Sequence, residues 1–329
     1  MNTIGFDVGT YNLIMAAPKS ETEIAIKREI NVFIKVENPK KFTKAMLMQQ
    51  GVPLIEKDKD IYVLGQAAVD LAVDLGLSYR RPMYAGCLSA KEKDAFEIMA
   101  AMLKGMVGPI NEPTVLYFSV PAAPIDADGD SKYHEKVVFS IFSTVPNLEP
   151  IALNEALAIV YSTSPTQTGI GISFGAGMVN VCFSKMAIPV FEFSLTESGD
   201  WIDRESARVS GESEAFINQE KLNVDLAQPP KTSVEMAIVR NYEILIEKSV
   251  DKINEGIEGS KGKAHTNQPI PIIVGGGTSL ATGFIDLFMK VLAKRPLSIP
   301  ISGVELPKNP LHAVAEGCLV AAKAHSAAG

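Results

Sequence analysis

Ile170-Gly171-Ile172-Ser173-Phe174-Gly175-Ala176-Gly177-Met178-Val179-Asn180-Val181-Cys182-Phe183 reads as an apolar strand, a glycine turn and a returning apolar strand. The same logic opens the chain in Ile4-Gly5-Phe6-Asp7-Val8-Gly9-Thr10-Tyr11-Asn12-Leu13-Ile14-Met15, where the hairpin carries an Asp near its tip. Apolar runs flanking Gly and polar residues are the signature of hairpins, and the repetition predicts an internal duplication. A third glycine turn follows a strand in Ile270-Pro271-Ile272-Ile273-Val274-Gly275-Gly276-Gly277-Thr278-Ser279 and precedes a helix from about 283 to 293.

Glycine at a strand end lets backbone amides approach an anion with no Cβ in the way, and several converging N–H groups make a nest for a phosphate. Three such turns in one chain, two in like-built hairpins and one opening a helix, predict a nucleotide whose phosphates are held from two sides. GxxxxGK[ST] is absent, and Gly275-Gly276-Gly277 does not match GxGxxG. The P-loop and Rossmann classes therefore lose support.

Outside the turns, strands are predicted at 32–36, 61–65, 114–120 and 187–195, and helices at 67–75, 92–107, 132–144, 154–162, 233–257 and 311–324. In the second helix Phe96, Met99, Leu103 and Met106 recur at helical spacing. Residues 30–85 form a smaller unit, and the polar stretch 200–267 suggests a second insertion. The chain of 329 residues, 47% hydrophobic and 21% charged, is long enough for about two domains. Its charges, 31 Lys and Arg against 38 Asp and Glu, give −7 without a basic block, so direct nucleic-acid binding is disfavoured.

Cys87, Cys182 and Cys318 are an odd set with no CxxC, fitting core residues in a reducing compartment. Neither a leader-like N-terminus nor a long apolar run is present, which predicts a cytoplasmic protein with no membrane-insertion segment. Asp126, Asp128 and Asp130 alternate as in a calcium loop but lack its Gly and Glu, and are read as caps of the next helix. His134, His265, His312 and His325 show no metal-ligand spacing and are read as surface or helix residues.

The order of these elements resembles the bacterial actin-like ATPase family, in its MreB/MamK-like branch, along nearly the whole chain. Phe6-Asp7-Val8-Gly9-Thr10 is similar to its first phosphate motif, Ser173-Phe174-Gly175-Ala176-Gly177 to the second and Val274-Gly275-Gly276-Gly277-Thr278-Ser279 to the adenosine motif. Asn154-Glu155-Ala156-Leu157-Ala158 and Ala315-Glu316-Gly317-Cys318 are similar to its two connecting helices, and Arg80-Arg81-Pro82-Met83 with Gly86 to a further segment.

The resemblance implies an α/β actin-like fold: two lobes, each with a ribonuclease-H-like mixed sheet flanked by helices, plus two smaller inserted subdomains. The first lobe would comprise 1–29, 86–165 and 306–329 with the insertion 30–85. The second would comprise 166–205 and 266–305 with the insertion 206–265. ATP or ADP with Mg²⁺ would lie in the cleft. Asp7 would hold the metal through water. Gly9, Thr10, Tyr11 and Asn12 would meet the phosphates from one lobe, and Ser173, Gly175, Ala176 and Gly177 from the other.

Glu155 would orient the attacking water. Gly275, Gly276, Gly277 and Thr278 would hold the nucleoside, with Glu212 on the ribose and Lys221 or Asn218 replacing a lysine usual in the family. Asp200 in Ser198-Gly199-Asp200-Trp201 would lie near the cleft. Where the family commonly carries an Asp this chain has Ser173, which implies slowed hydrolysis. The implied function is an ATP-dependent cytoskeletal protein that stacks head to tail on itself, with an unidentified adaptor or cargo. The alternative is a non-polymerising actin-fold scaffold that uses nucleotide as a switch. A sugar or acetate kinase on the same fold lacks a candidate base.

Overall fold

A computed structural model describes residues 2–20, 22–127 and 131–328. The chain begins with β1 (Asn2–Val8), β2 (Asn12–Pro18) and β3 (Ile24–Ile30). A small unit follows, made of β4 (Phe33–Val36), α1 (Lys41–Gln49), β5 (Leu54–Lys57), β6 (Asp60–Leu64) and α2 (Gln66–Leu75). The chain returns through a short hairpin, β7 (Met83–Tyr84) and β8 (Cys87–Leu88), to α3 (Ala95–Val107), β9 (Thr114–Val120), α4 (Ser131–Phe142), β10 (Leu148–Asn154) and α5 (Glu155–Thr163).

The second half opens with β11 (Gly169–Phe174), β12 (Val179–Lys185) and β13 (Ile188–Leu195). Helices α6 (Gly199–Ser210), α7 (Glu214–Glu220) and α8 (Ser233–Gly259) come next. Then follow β14 (Ile270–Gly275), a single turn of 3-10 helix (Gly277–Leu280), α9 (Phe284–Lys294), β15 (Ile301–Glu305) and α10 (Ala313–Ala328).

Two five-stranded mixed sheets carry the two lobes, in the orders β3-β2-β1-β9-β10 and β13-β12-β11-β14-β15. In each, three antiparallel strands meander from the centre to one edge and two parallel strands extend the other side. The duplication predicted from two hairpins is thus a duplication of whole sheets. It extends to the turns: Gly9 N–H donates to Asn12 O at 3.1 Å, and Gly175 N–H donates to Met178 O at 2.9 Å. The central strands β1 and β11 are nearly continuous in buried residues, as expected of strands covered on both faces.

Each lobe has its own core. Phe6, Phe118 and Phe142 meet in the first, with ring centroids 5.4 and 5.6 Å apart. In the second, Phe174 lies against Phe284 at 5.1 Å, and α8 contributes Ile238, Tyr242, Leu245, Ile246 and Ile253. The small unit is a three-stranded sheet, β4-β6-β5, over α2.

Helices α5 and α10 join the lobes and cross at very short range. A Cβ on Gly317 of α10 would stand 1.8 Å from the Ala158 carbonyl oxygen of α5. The sheets make matching room: a Cβ on Gly5 of β1 would meet the Ala315 oxygen of α10 at 2.1 Å, and one on Gly171 of β11 the Ala156 oxygen of α5 at 2.1 Å. Ala156, Ala158, Ala313 and Ala315 are fully buried at the same crossing. Small side chains let the backbones approach, so each lobe's central strand is seated on a connecting helix.

Several expectations need correction. Phe96 is 46% exposed, at the edge of a stripe made instead by Ile98, Met99, Met102, Leu103 and Met106. Strands β3, β5, β10 and β15 and helices α1, α6 and α7 fall in stretches not assigned from sequence. The Asp126 carboxylate accepts from Thr196 N and pairs with Lys248 at 3.0 Å, and among the described residues it caps no helix. Asp128 and Asp130 lie outside the described residues. Cys182 and Cys318 are buried, whereas Cys87 is partly exposed.

His134 on α4 is completely buried. Its Nδ1 accepts from Leu88 N at 3.1 Å, and among the described residues Nε2 has no hydrogen-bond partner. Burial lowers its pKa from 6.5 to about 4 because the charged ring would lose its hydration. Between these values the unfolded chain binds the additional proton, so this residue's contribution to stability is lost as pH falls from about 6.5 towards 4, by up to about 3 kcal/mol. An NMR titration should find the His134 ring still neutral at pH 5. Protonation near 6.5 would refute the assignment.

Candidate functional site

The floor of the interlobe cleft is built from strand ends and one helix start. Asp7 is the penultimate residue of β1, and its Oδ1 accepts from Ser119 Oγ of neighbouring β9 at 2.9 Å. Ser119 Oγ also accepts from Val8 N at 2.9 Å, which fixes the hydroxyl between strand and carboxyl. Opposite, β10 runs directly into α5, and the Asn154 side chain caps the helix by accepting from Leu157 N at 3.0 Å. That cap sets Glu155 in the first turn.

Both oxygens of Glu155 are held by the second lobe. Ser173 Oγ donates to Oε1 at 2.5 Å and Asn180 Nδ2 donates to Oε2 at 2.9 Å. Burial pushes the Glu155 carboxyl up to about 8, with the nearby Asp7 charge as the second cause and the Ser173 bond opposing them. Asp7 is pushed up to about 7 by burial, against the Ser119 bond. A helix N-terminus ordinarily favours a carboxylate by under about 1 kcal/mol, so desolvation and the second carboxyl outweigh it here. Two acidic groups share a site that supplies no cation.

Above this floor the glycine turns meet. A Cβ on Gly177 would lie 2.4 Å from Thr10 Oγ1 and 2.6 Å from Gly86 N, and Gly86 N donates to Thr10 Oγ1 at 3.2 Å. Ala176 O accepts from Asp200 N at 2.8 Å and Gly175 O from Gly199 N at 3.1 Å, so α6 starts on the second turn's carbonyls. The third turn braces the second: Thr278 Oγ1 donates to Gly175 O at 2.9 Å. Gly276, at φ +90°, would put a Cβ 2.4 Å from Phe174 O, a conformation and a gap that suit glycine alone.

The structure therefore gathers Asp7, Gly9 to Asn12, Glu155, Ser173, Gly175 to Gly177 and Gly275 to Thr278 around one cleft. It gives others different partners. Lys221 Nζ lies 2.6 Å from Asp203 Oδ1, and Asn218 donates to Asp203 Oδ2 at 2.7 Å. Among the described residues no hydrogen bond or ion pair joins the exposed Glu212 to the turns. Ser173 faces Glu155 as a donor, a contact that an Asp would replace with charge repulsion.

Three contributors, Ser119, Asn180 and Asn31, were not singled out, and Arg81 was named only within a motif. Ser119 and Asn180 are lone polar residues inside apolar strands, which is a legible signal. Asn31 donates to Gly9 O at 2.9 Å from the root of the small unit. Arg81 pairs with Asp200 through both nitrogens, at 3.1 and 2.8 Å, spanning the cleft. Nothing in the local sequence marks Asn31, whereas Arg81 lies in the Arg80-Arg81-Pro82-Met83 segment that carries part of the resemblance.

The Volactin family model matches residues 1–322. The chain belongs to the Volactin family. No curated protein matches the sequence. Among solved structures, this Volactin-family chain is similar to a MamK double helical filament, with 16% identity, 98% of each chain covered and a TM-score of 0.73. It is also similar to MreB5 of Spiroplasma citri bound to ADP, at 16% identity, 98% and 96% coverage and a TM-score of 0.69. The ethanolamine utilization protein EutJ from Carboxydothermus hydrogenoformans is more distant in shape, at 17% identity, 96% and 88% coverage and 0.52. The fold is actin-like, as these likenesses and the duplicated sheets agree. Among the described residues no helix is long and apolar enough to cross a membrane.

Proposed function

We propose that the chain is an actin-like cytoskeletal ATPase of the cytoplasm, which binds Mg²⁺ and ATP between its lobes and stacks head to tail on itself. The observation that carries this reading is the meeting of two like-built glycine turns beside a partly buried pair of carboxyls, Asp7 and Glu155. Solved relatives of the same fold support it by their titles: one is a filament, and MreB5 was found bound to ADP and to AMPPNP.

The residues fit the group. Amides of Gly9 to Asn12 and of Gly175 to Gly177 would hold phosphates, Gly275 to Thr278 the nucleoside and Glu212 the ribose. Asp7, a hard oxygen donor whose raised proton affinity marks a missing counter-charge, would hold Mg²⁺ through water. Mg·ATP, when bound, supplies the cation that neutralises phosphate charge and the phosphoryl group to be transferred. Glu155 orients a water and accepts its proton at a carboxylate oxygen. Ser119 keeps Asp7 pointed into the cleft. The close-packed turns exclude bulk water.

Calorimetry with Mg·ATP and Mg·ADP, followed by sedimentation with ATP, ADP and a non-hydrolysable analogue, tests the proposal. The expected result is binding of both nucleotides and pelleting with ATP. A folded protein giving no heat with millimolar Mg·ATP overturns it. Ser173, uncharged where the family commonly has an Asp, favours a second reading as a scaffold switched by nucleotide. Binding without pelleting or phosphate release selects that reading.

A further inference from the structure

Ser173 and Asn180 are direct cross-strand partners in the β11/β12 pair, so both side chains leave the sheet on one face. That face is Glu155's, and between them they satisfy both of its oxygens. The other end of Asn180 is also engaged: Oδ1 accepts from Ala122 N at 3.0 Å. Because a backbone N–H can only donate, this contact fixes which way the amide points and leaves Nδ2 for Glu155.

Ala122 belongs to the segment that leaves β9 of the first lobe and lies along β13 of the second. Ile125 N donates to Ser194 O at 3.0 Å, Ser194 N to Ala123 O at 3.1 Å and Ser194 Oγ to Ala122 O at 2.8 Å. Asn180 and Ser173 are each 1% exposed, so these bonds are made away from water, where an unmade one is costly.

We infer that Asn180, with Ser173, is a positioning clamp that fixes the Glu155 carboxyl and ties its orientation to the seating of the Ala122–Ile125 segment across the lobes. The inference rests on Glu155 acting as proposed above. A terminal carboxyl torsion is broad and roughly two-fold, and donors on both oxygens remove that freedom. The carboxamide at 180 donates to Glu155 while accepting from the Ala122 amide. Aspartate keeps the shape and the Ala122 contact but loses the donor.

The test compares the full chain with Asn180→Asp and Asn180→Ala in Mg·ATP. The expected result is affinity within about threefold of the parent and turnover at saturation at least tenfold lower in both. In a Glu155→Gln background, adding Asn180→Asp should change turnover less than twofold. Loss of affinity in step with turnover, or turnover within twofold of the parent, overturns the clamp.

A nucleotide-free arm measures the unfolding equilibrium of Asn180→Ala, Glu155→Ala and the double variant. Coupling of about tenfold supports the clamp, and coupling within twofold overturns it. A parent chain that ignores ATP but retains the tenfold coupling removes the ATPase reading and leaves the clamp standing.

Discussion

Gly317→Val is expected to cost about 3 kcal/mol or more of folding stability, enough to remove much of the 5–15 kcal/mol that holds a typical domain together. The added Cβ would stand 1.8 Å from Ala158 O and 2.4 Å from Ala158 C. Both are backbone atoms of a buried helix that cannot swing aside. Moving α10 away does not relieve the clash, because its other side rests on β1, where Gly5 already allows contact with Ala315 and Leu319.

Gly105→Ala in α3 is the control. Its Cβ would meet nothing within 4 Å, and it should stabilise by roughly 0.5–1 kcal/mol through helix propensity. Chemical denaturation of the three proteins checks both signs. A Gly317→Val variant with the parent midpoint would falsify the close crossing of α5 and α10.

Glu155→Gln has two expected effects of opposite sign. Turnover should fall about 100-fold with affinity for Mg·ATP little changed, since the amide holds a water but accepts no proton. Stability of the metal-free protein should rise at alkaline pH. The folded-state pKa of Glu155, about 8, exceeds the unfolded value of about 4.3. The folded state therefore binds more protons in that window, and stability is lost as pH climbs from about 4.5 through 8.

Glutamine has no proton to lose, so the variant escapes that loss. The gain is on the order of 2 kcal/mol, less than the full shift implies, because Glu155 retains some solvent contact that screens its charge. Denaturant midpoints at pH 5 and pH 8.5 with a chelator present give the comparison. Equal pH slopes for parent and variant would contradict the raised proton affinity of Glu155. The carboxyl whose charged form costs stability is thus the one assigned to the chemistry, a common relation between stability and function.

The hairpins were legible because a local pattern suffices for them: apolar runs around Gly9 and around Gly175 to Gly177 specify strand, turn and strand with no help from elsewhere. Glu155 was legible through the resemblance of Asn154-Glu155-Ala156-Leu157-Ala158 to a connecting helix of the family. The edge strands β3 and β15 were not, since their side chains are largely solvated and show no strong alternation. Strand β10 was missed for a related reason: it runs straight into α5 without a turn residue to separate the two.

What the sequence determined by itself was the repeated strand–turn–strand unit, the acidic, globular character of the chain and the residues that ring the cleft. Tertiary structure alone decided what those residues face. Ser173 read as a lost charge until β12 placed Asn180 beside it and both on Glu155. Lys221 and Asn218 converge on Asp203 of α6, a grouping that their local sequence does not mark. Arg81 and Asp200 are far apart in the chain, and only the packing of two lobes makes them a pair. Local spacing fixes which elements form, whereas partner choice depends on which backbones approach closely enough. Here the approach of the connecting helices to each other and to the central strands is set by Gly317 on α10, Gly5 on β1 and Gly171 on β11.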